Sequence, residues 1–162
     1  MHPWLTFQLL AMLALANGTP VIVNKLLSRH LAYPLDGGVT FLDGQPLFGS
    51  SKTIRGILLA VLMTTAVGNL LDLSWRVGFV IGIVAMGGDL FSSFLKRRLH
   101  FVAGDRATGL DQIPESLFPL LACRQALALT ALDIILVVAA FFVGEMLISV
   151  WLFKLHLRER PY

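Results

Sequence analysis

Residues 75–95 form a stretch of 21 positions in which only Arg76 and Asp89 are charged. No other feature limits the possible fold as strongly. A helix of that length rises about 30 Å, the thickness of a bilayer's hydrocarbon core. Comparable apolar runs lie at about 4–27, 52–71 and 130–155. Only 14% of the 162 residues are charged, against roughly 25% in a soluble domain. The composition therefore calls for lipid as solvent, with 1–162 expected to form a single transmembrane domain. A cleaved leader is not the expected reading of the first run, because only Met1-His2-Pro3 precede Trp4 and no basic segment is present. Cys123 is the sole cysteine, so an intrachain disulfide is excluded.

The pattern predicts an all-α bundle of about five transmembrane helices with its active-site loops in the cytoplasm. Helix one is expected over 4–27, interrupted at Asn17-Gly18-Thr19-Pro20, where proline removes a helical donor. Helix two is expected over 52–71 and helix three over 75–95. The last 50 residues read either as one bent helix or as two, a short one over 114–127 and a final one over 130–155. Thr130-Ala131-Leu132-Asp133 has the spacing of a capping box, which favours two. Charge favours two as well. Lys25, Arg29, Lys52 and Arg55 flank the first loop, Lys96, Arg97, Arg98 and Arg106 the second, and Lys154, Arg158 and Arg160 lie in the tail. Five helices put all three regions on one side, and the positive-inside rule makes that side the cytoplasm. The expected protein is thus a multi-pass component of the cytoplasmic membrane, N-terminus outside and C-terminus inside.

Asp89 carries the chemistry of this reading. A carboxylate deep in an apolar span is costly unless something pairs with it, so such acids mark functional sites. Ser92 or Ser93 and Lys96 follow at helical spacing on the same face, and Arg97-Arg98 close the segment. Arg124 or protonation would be a purely structural answer to the charge. Gly49-Ser50-Ser51-Lys52-Thr53-Ile54-Arg55-Gly56 opens helix two. It lacks the spacing of a Walker A loop, yet it combines hydroxyls, a lysine and a helix start, all suited to phosphate. Asp111-Gln112 brings a second carboxylate before helix four, and Asp36 and Asp43 stand beside glycines in the first loop. Carboxylates suit Mg²⁺, which takes one or two of them together with substrate phosphates. His2, His30, His100 and His156 are too scattered for a zinc site or a Ser-His-Asp arrangement. Gly78, Gly82 and the Gly87-Gly88 pair thin one side of helix three for close packing.

These motifs together resemble a known family. Ser50-Ser51-Lys52-Thr53-x-x-Gly56, Gly88-Asp89-Leu90-x-x-Ser93-x-x-Lys96-Arg97-Arg98 and Gly109-x-Asp111-Gln112 are similar to the membrane CTP-dependent cytidylyltransferases. The nearer resemblance is to the CDP-archaeol synthase group, which shares the Asn17-Gly18-Thr19-Pro20, Pro34-x-Asp36-Gly37-Gly38 and Asp43-Gly44 segments. It covers roughly residues 14 to 115. Residues 102–109 depart from the Pro-Gly loop common in the family.

The resemblance implies that CTP and a membrane lipid phosphate with two long chains, archaeol-type or phosphatidate-like, give CDP-lipid and pyrophosphate. It assigns Asp89 and Asp111 to Mg²⁺ and adds Lys96 to the catalytic group. Lys52, Thr53, Ser93, Arg97 and Gln112 become substrate-binding residues, with Asn17 and Asp36 as further substrate contacts. The implied partners are CTP, the lipid phosphate and the bilayer, with no nucleic acid. A transporter using intramembrane Asp89 is the alternative, and a scaffold that binds anionic lipid through the basic loops is a third reading.

Overall fold

The computed structural model describes residues 2–27, 30–105 and 107–154, with side chains through Ser149. Arg29, Arg106, the tail beyond Lys154 and His156 lie outside the described residues. Five helices follow in order: α1 (Pro3–Leu27), α2 (Ile54–Leu70), α3 (Trp75–Arg98), α4 (Gln112–Ala122) and α5 (Ala131–Lys154). Two isolated bridges, Pro34 with Thr53 and Thr40 with Pro46, are the only β pairing among the described residues. The chain is an all-α membrane protein. Helix α1, helix α3 and residues 131–149 of α5 are each long and apolar enough to cross a bilayer. Helix α4, with 11 residues, rises only about 16 Å and cannot cross alone.

Helix α3 sits at the centre, packed on α1, α2 and α4. Small residues let it do so. A Cβ on Gly78 would lie 2.5 Å from the Thr64 carbonyl oxygen of α2, and one on Gly88 would lie 2.5 Å from the Pro114 carbonyl oxygen of α4. Gly87 has open space around it, so of the glycine pair only Gly88 serves packing. Leu9, Met12 and Leu13 of α1 meet Ile81, Leu120, Val137 and Phe141 in the main apolar cluster. Ala16, Ala60, Ala85 and Met86 form a smaller cluster nearer the polar end.

Three boundaries differ from the sequence reading, each for a local reason. Helix α1 is unbroken at 17–20, with Pro20 inside it. The proline deletes one helical donor without ending the helix. Helix α3 continues three residues past Leu95, because Lys96 and Arg97 find acceptors inside the protein. Helix α4 begins at Gln112 and stops at Ala122. Pro119 within it cannot donate to the Glu115 carbonyl, and the chain turns through 123–129 on hydrogen bonds such as Leu127 N to the Cys123 carbonyl (3.0 Å) and Leu129 N to the Arg124 carbonyl (2.9 Å). The separate final helix is present, and so is its capping box. Asp133 N donates to Thr130 Oγ1 (3.2 Å), and Thr130 N donates to Asp133 Oδ2 (2.9 Å).

Candidate active site

Helix direction gathers the polar groups. The end of α1, the start of α2, the end of α3 and the start of α4 meet at one end of the bundle, with the long loops 30–53 and 99–111 beside them. A cavity of about 310 Å³ opens there. Nine of the ten site residues expected from the sequence line it: Asn17, Lys52, Thr53, Asp89, Ser93, Lys96, Arg97, Asp111 and Gln112.

Two lysine–carboxylate pairs organise the cavity. Lys52 Nζ donates to both oxygens of Asp89 at 2.5 Å, with the two side chains 20% and 16% exposed. Lys52 is therefore the partner that makes Asp89 tolerable in the apolar span. Arg124, the alternative considered from the sequence, is exposed at the far end of α4 and hydrogen-bonds toward Leu129. In the second pair, Lys96 Nζ lies 2.7 Å from Asp111 Oδ1 and donates to the Asp105 carbonyl at 2.9 Å. Asp111 Oδ1 is buried and outside hydrogen-bond geometry with any donor. The contact is an ion pair. The other oxygen, Oδ2, accepts from Ala107 N at 3.0 Å.

Loop contacts hold these groups in place. Gln112 Oε1 accepts from Gly109 N (2.8 Å), and Arg97 Nη2 donates to the Val102 carbonyl (2.8 Å). The first ties residues 99–111 to the start of α4 and the second ties them to the end of α3. Arg98 does the same for the first loop. It donates to the Pro46 carbonyl (2.6 Å), lies 3.1 Å from Asp43, and stacks on Phe41 and Phe94.

Asp36 does not line the cavity. Its Oδ2 accepts from the amides of Phe48 and Gly49 at 2.9 Å each, and its Oδ1 accepts from Gly38 N at 3.0 Å. Desolvation works against the charged form, yet these three amides hold the carboxyl below the usual aspartate range. These three bonds tie the Asp36 carboxyl to the first loop. Gly49, at φ +93° and placed where an added Cβ would lie 3.1 Å from Ala103 Cβ, then leads the chain into Lys52. The start of α2 is also less open than its sequence suggests. Ile54 N donates to the Tyr33 carbonyl (3.1 Å) and Gly56 N to Thr53 Oγ1 (3.3 Å). What α2 offers the cavity is its dipole, with the Lys52 ammonium two residues before its first turn.

Two further acids, Glu115 of α4 and Glu145 of α5, line the cavity. Glu115, 7% exposed, lies near Asp89, Glu145 and Lys52. Spacing carried a signal for the first, since Glu115 stands one helical turn after Asp111. The second carried the signal used for Asp89, an acid inside an apolar span. Among the described residues no group of three His, Cys, Asp or Glu side chains forms a metal cage.

A family model described as CarS-like, CDP-archaeol synthase, matches residues 9–162. The chain belongs to the CDP-archaeol synthase family. The match runs past residue 115, where the recognisable motifs end, and takes in α4 and α5. Relatives named CDP-archaeol synthase include one from Pyrobaculum islandicum, 45% identical over 103 residues, covering 60% of this chain and 61% of that one. Another, from Pyrococcus furiosus, is 37% identical over 123 residues, covering 69% and 70%. A third, from Sulfurisphaera tokodaii, is 34% identical over 153 residues, covering 91% and 89%. This chain thus spans just under two thirds of the Pyrobaculum relative's length in the alignment. A solved structure described as an intramembrane enzyme for archaeal membrane lipids biosynthesis superposes with a TM-score of 0.76 at 30% identity, covering 88% of this chain and 91% of that one.

Proposed function

We propose that this chain transfers the cytidylyl group of CTP to a membrane lipid phosphate bearing two long chains, archaeol-type in keeping with the family, and releases pyrophosphate. The observation that carries the reading is the pair of lysine–carboxylate contacts, Lys52–Asp89 and Lys96–Asp111, lining one cavity at the polar end of the bundle. Each pair sets a cation, suited to a nucleotide's phosphates, beside a carboxylate that would hold a divalent metal.

In the proposed reaction a lipid phosphate oxygen forms a bond to the α-phosphorus of CTP. The bond from that phosphorus to the bridging oxygen breaks, and its electron pair leaves with pyrophosphate. The nucleophile is already ionised at neutral pH, so positioning and charge neutralisation are the protein's tasks. Lys52, with Thr53 and the positive end of α2, holds the β- and γ-phosphates and then pyrophosphate. Lys96 and Arg97, on the last turn of α3, hold the lipid phosphate at the membrane boundary. Ser93 and Gln112 line the space between.

The charge balance asks for a further cation. Five acidic and three basic side chains line the cavity, and a triphosphate brings more negative charge into a region with little water to screen it. Asp89 and Asp111, both lining the cavity, are the carboxylates that would hold Mg²⁺. When bound, Mg²⁺ supplies neutralisation of charge developing on the transferred and leaving phosphoryl groups. A transporter reading is not favoured, because the polar side chains gather at one end and the family is one of synthases.

Purified protein in detergent is expected to form CDP-lipid from labelled CTP and a dialkylglycerol phosphate, with turnover abolished by EDTA and restored by Mg²⁺. Mass spectrometry across dialkyl and diacyl lipid phosphates reads out the product. Absence of any nucleotide-lipid product sinks the reading.

The same proposal puts the cavity end in the cytoplasm and the N-terminus outside, as the clustering of basic residues at that end supports. In a Cys123→Ala background, Leu42→Cys, at a position 96% exposed in the first loop, is expected to label only from the cytoplasmic side. Leu70→Cys, at a position 79% exposed, is expected to label only from outside. The reverse pattern would invert the topology.

A further inference from the structure

We infer that Asn17 reads the nucleobase and makes the cavity select an aminopyrimidine, an inference that rests on the cytidylyltransferase reading above. Asn17 lines the cavity, on the same wall as Pro20, Val21 and Asn24 of α1. Both polar atoms of its side chain, Oδ1 and Nδ2, are buried and have no hydrogen-bond partner among the described residues. A primary amide left unpaired in a buried setting is costly, and native proteins rarely leave one without a purpose. Asn24 shows the contrast, since its Oδ1 accepts from Arg55 Nη2 at 3.0 Å.

The chemistry of the vacant amide names its ligand. A carboxamide presents one acceptor and one donor side by side, as in asparagine's paired recognition of nucleobase edges. Cytosine offers the complement, with N3 accepting from Nδ2 and the N4 amino group donating to Oδ1. After a flip the same amide would suit uracil, so selection needs a fixed neighbour. The surroundings are rich in acceptors. Glu115 and Glu145 bring carboxyl groups to the same cavity. Acceptors attract an exocyclic amine and repel the O4 of uracil. The triphosphate then extends toward Lys52 and the end of α3, away from α1.

The test separates the base from the phosphates. Wild-type protein and Asn17→Leu, which keeps the side chain's size and removes both hydrogen-bonding atoms, are titrated in detergent with CTP, UTP and inorganic tripolyphosphate. Wild type is expected to prefer CTP to UTP. Asn17→Leu is expected to lose roughly tenfold or more in CTP affinity, the scale of two lost hydrogen bonds. Its CTP and UTP affinities converge, and its tripolyphosphate affinity is unchanged. Retained tripolyphosphate binding shows an intact cavity, and Asn17→Ala is used in the same way if the leucine variant fails to fold. An unaltered ratio of CTP to UTP affinity in the folded variant overturns the base assignment. If wild type forms CDP-lipid while the variant keeps its CTP preference, only this inference falls. If wild type forms none, the parent reading falls with it.

Discussion

Replacing Asp89 by asparagine is expected to lower cytidylyl transfer by about 10²–10³-fold or more, the scale seen when a group stabilising transferred charge is removed. Asparagine keeps the volume and one acceptor oxygen but loses the charge that holds Lys52 now and would face a divalent cation later. Lys52 is 20% exposed in the pair, so its ammonium has a route to solvent when its partner is neutralised. The fold is therefore expected to survive, with an unfolding midpoint in detergent close to wild type. Turnover and Mg²⁺ dependence are measured together. Near-normal turnover at saturating Mg²⁺ would remove Asp89 from the reaction. Loss of activity accompanied by loss of the folded bundle would instead mark a structural ion pair.

Gly88→Ala is the second large effect, and it acts through geometry alone. The added Cβ would sit 2.5 Å from the Pro114 carbonyl oxygen, 2.6 Å from its carbon and 2.9 Å from Glu115 N. All three are backbone atoms, which cannot rotate aside as a side chain would. Helix α4 must move off α3, carrying Asp111 and Gln112 away from Lys96. The expected cost is about 1–3 kcal/mol of stability, with a steep loss of activity. Gly87→Ala is the control one residue earlier. Its Cβ meets nothing within 4 Å, and alanine is the better helix former by about 0.5–1 kcal/mol, so neutral or slightly raised stability is expected. Thermal unfolding of both variants in one detergent decides the matter. Equal effects would mean that the α3–α4 approach is not what Gly88 secures.

The grouping of Asp89, Ser93 and Lys96 was legible before any coordinates, because helical periodicity puts positions i, i+4 and i+7 on one face. Bringing in Lys52 and Asp111 needed only the two spans between the loops, α2 and α3, which return the chain to the same end of the bundle. Glu115 was within reach of the same reasoning, and its spacing from Asp111 went unused. Asp36 was not separable from a ligand contact by sequence, since an aspartate before two glycines looks alike whether its oxygens face a substrate or the amides of residues 48 and 49. Arg98 presented the same ambiguity. It belongs to a basic triplet, yet it rivets the first loop through Asp43, Pro46 and two aromatic rings, while Lys96 and Arg97 face the cavity.

The sequence by itself determined the solvent, the helices and the end of the bundle where charge collects, because these follow from hydropathy and period, which are properties of local runs. The tertiary structure alone decided which cation meets which acid, that Pro20 stays inside a continuous helix, and that the Asn17 amide is left unpaired. Those outcomes depend on distances between residues tens of positions apart, where a shift of an ångström or two in helix packing exchanges one partner for another. Close approach at Gly78 and Gly88 sets that packing.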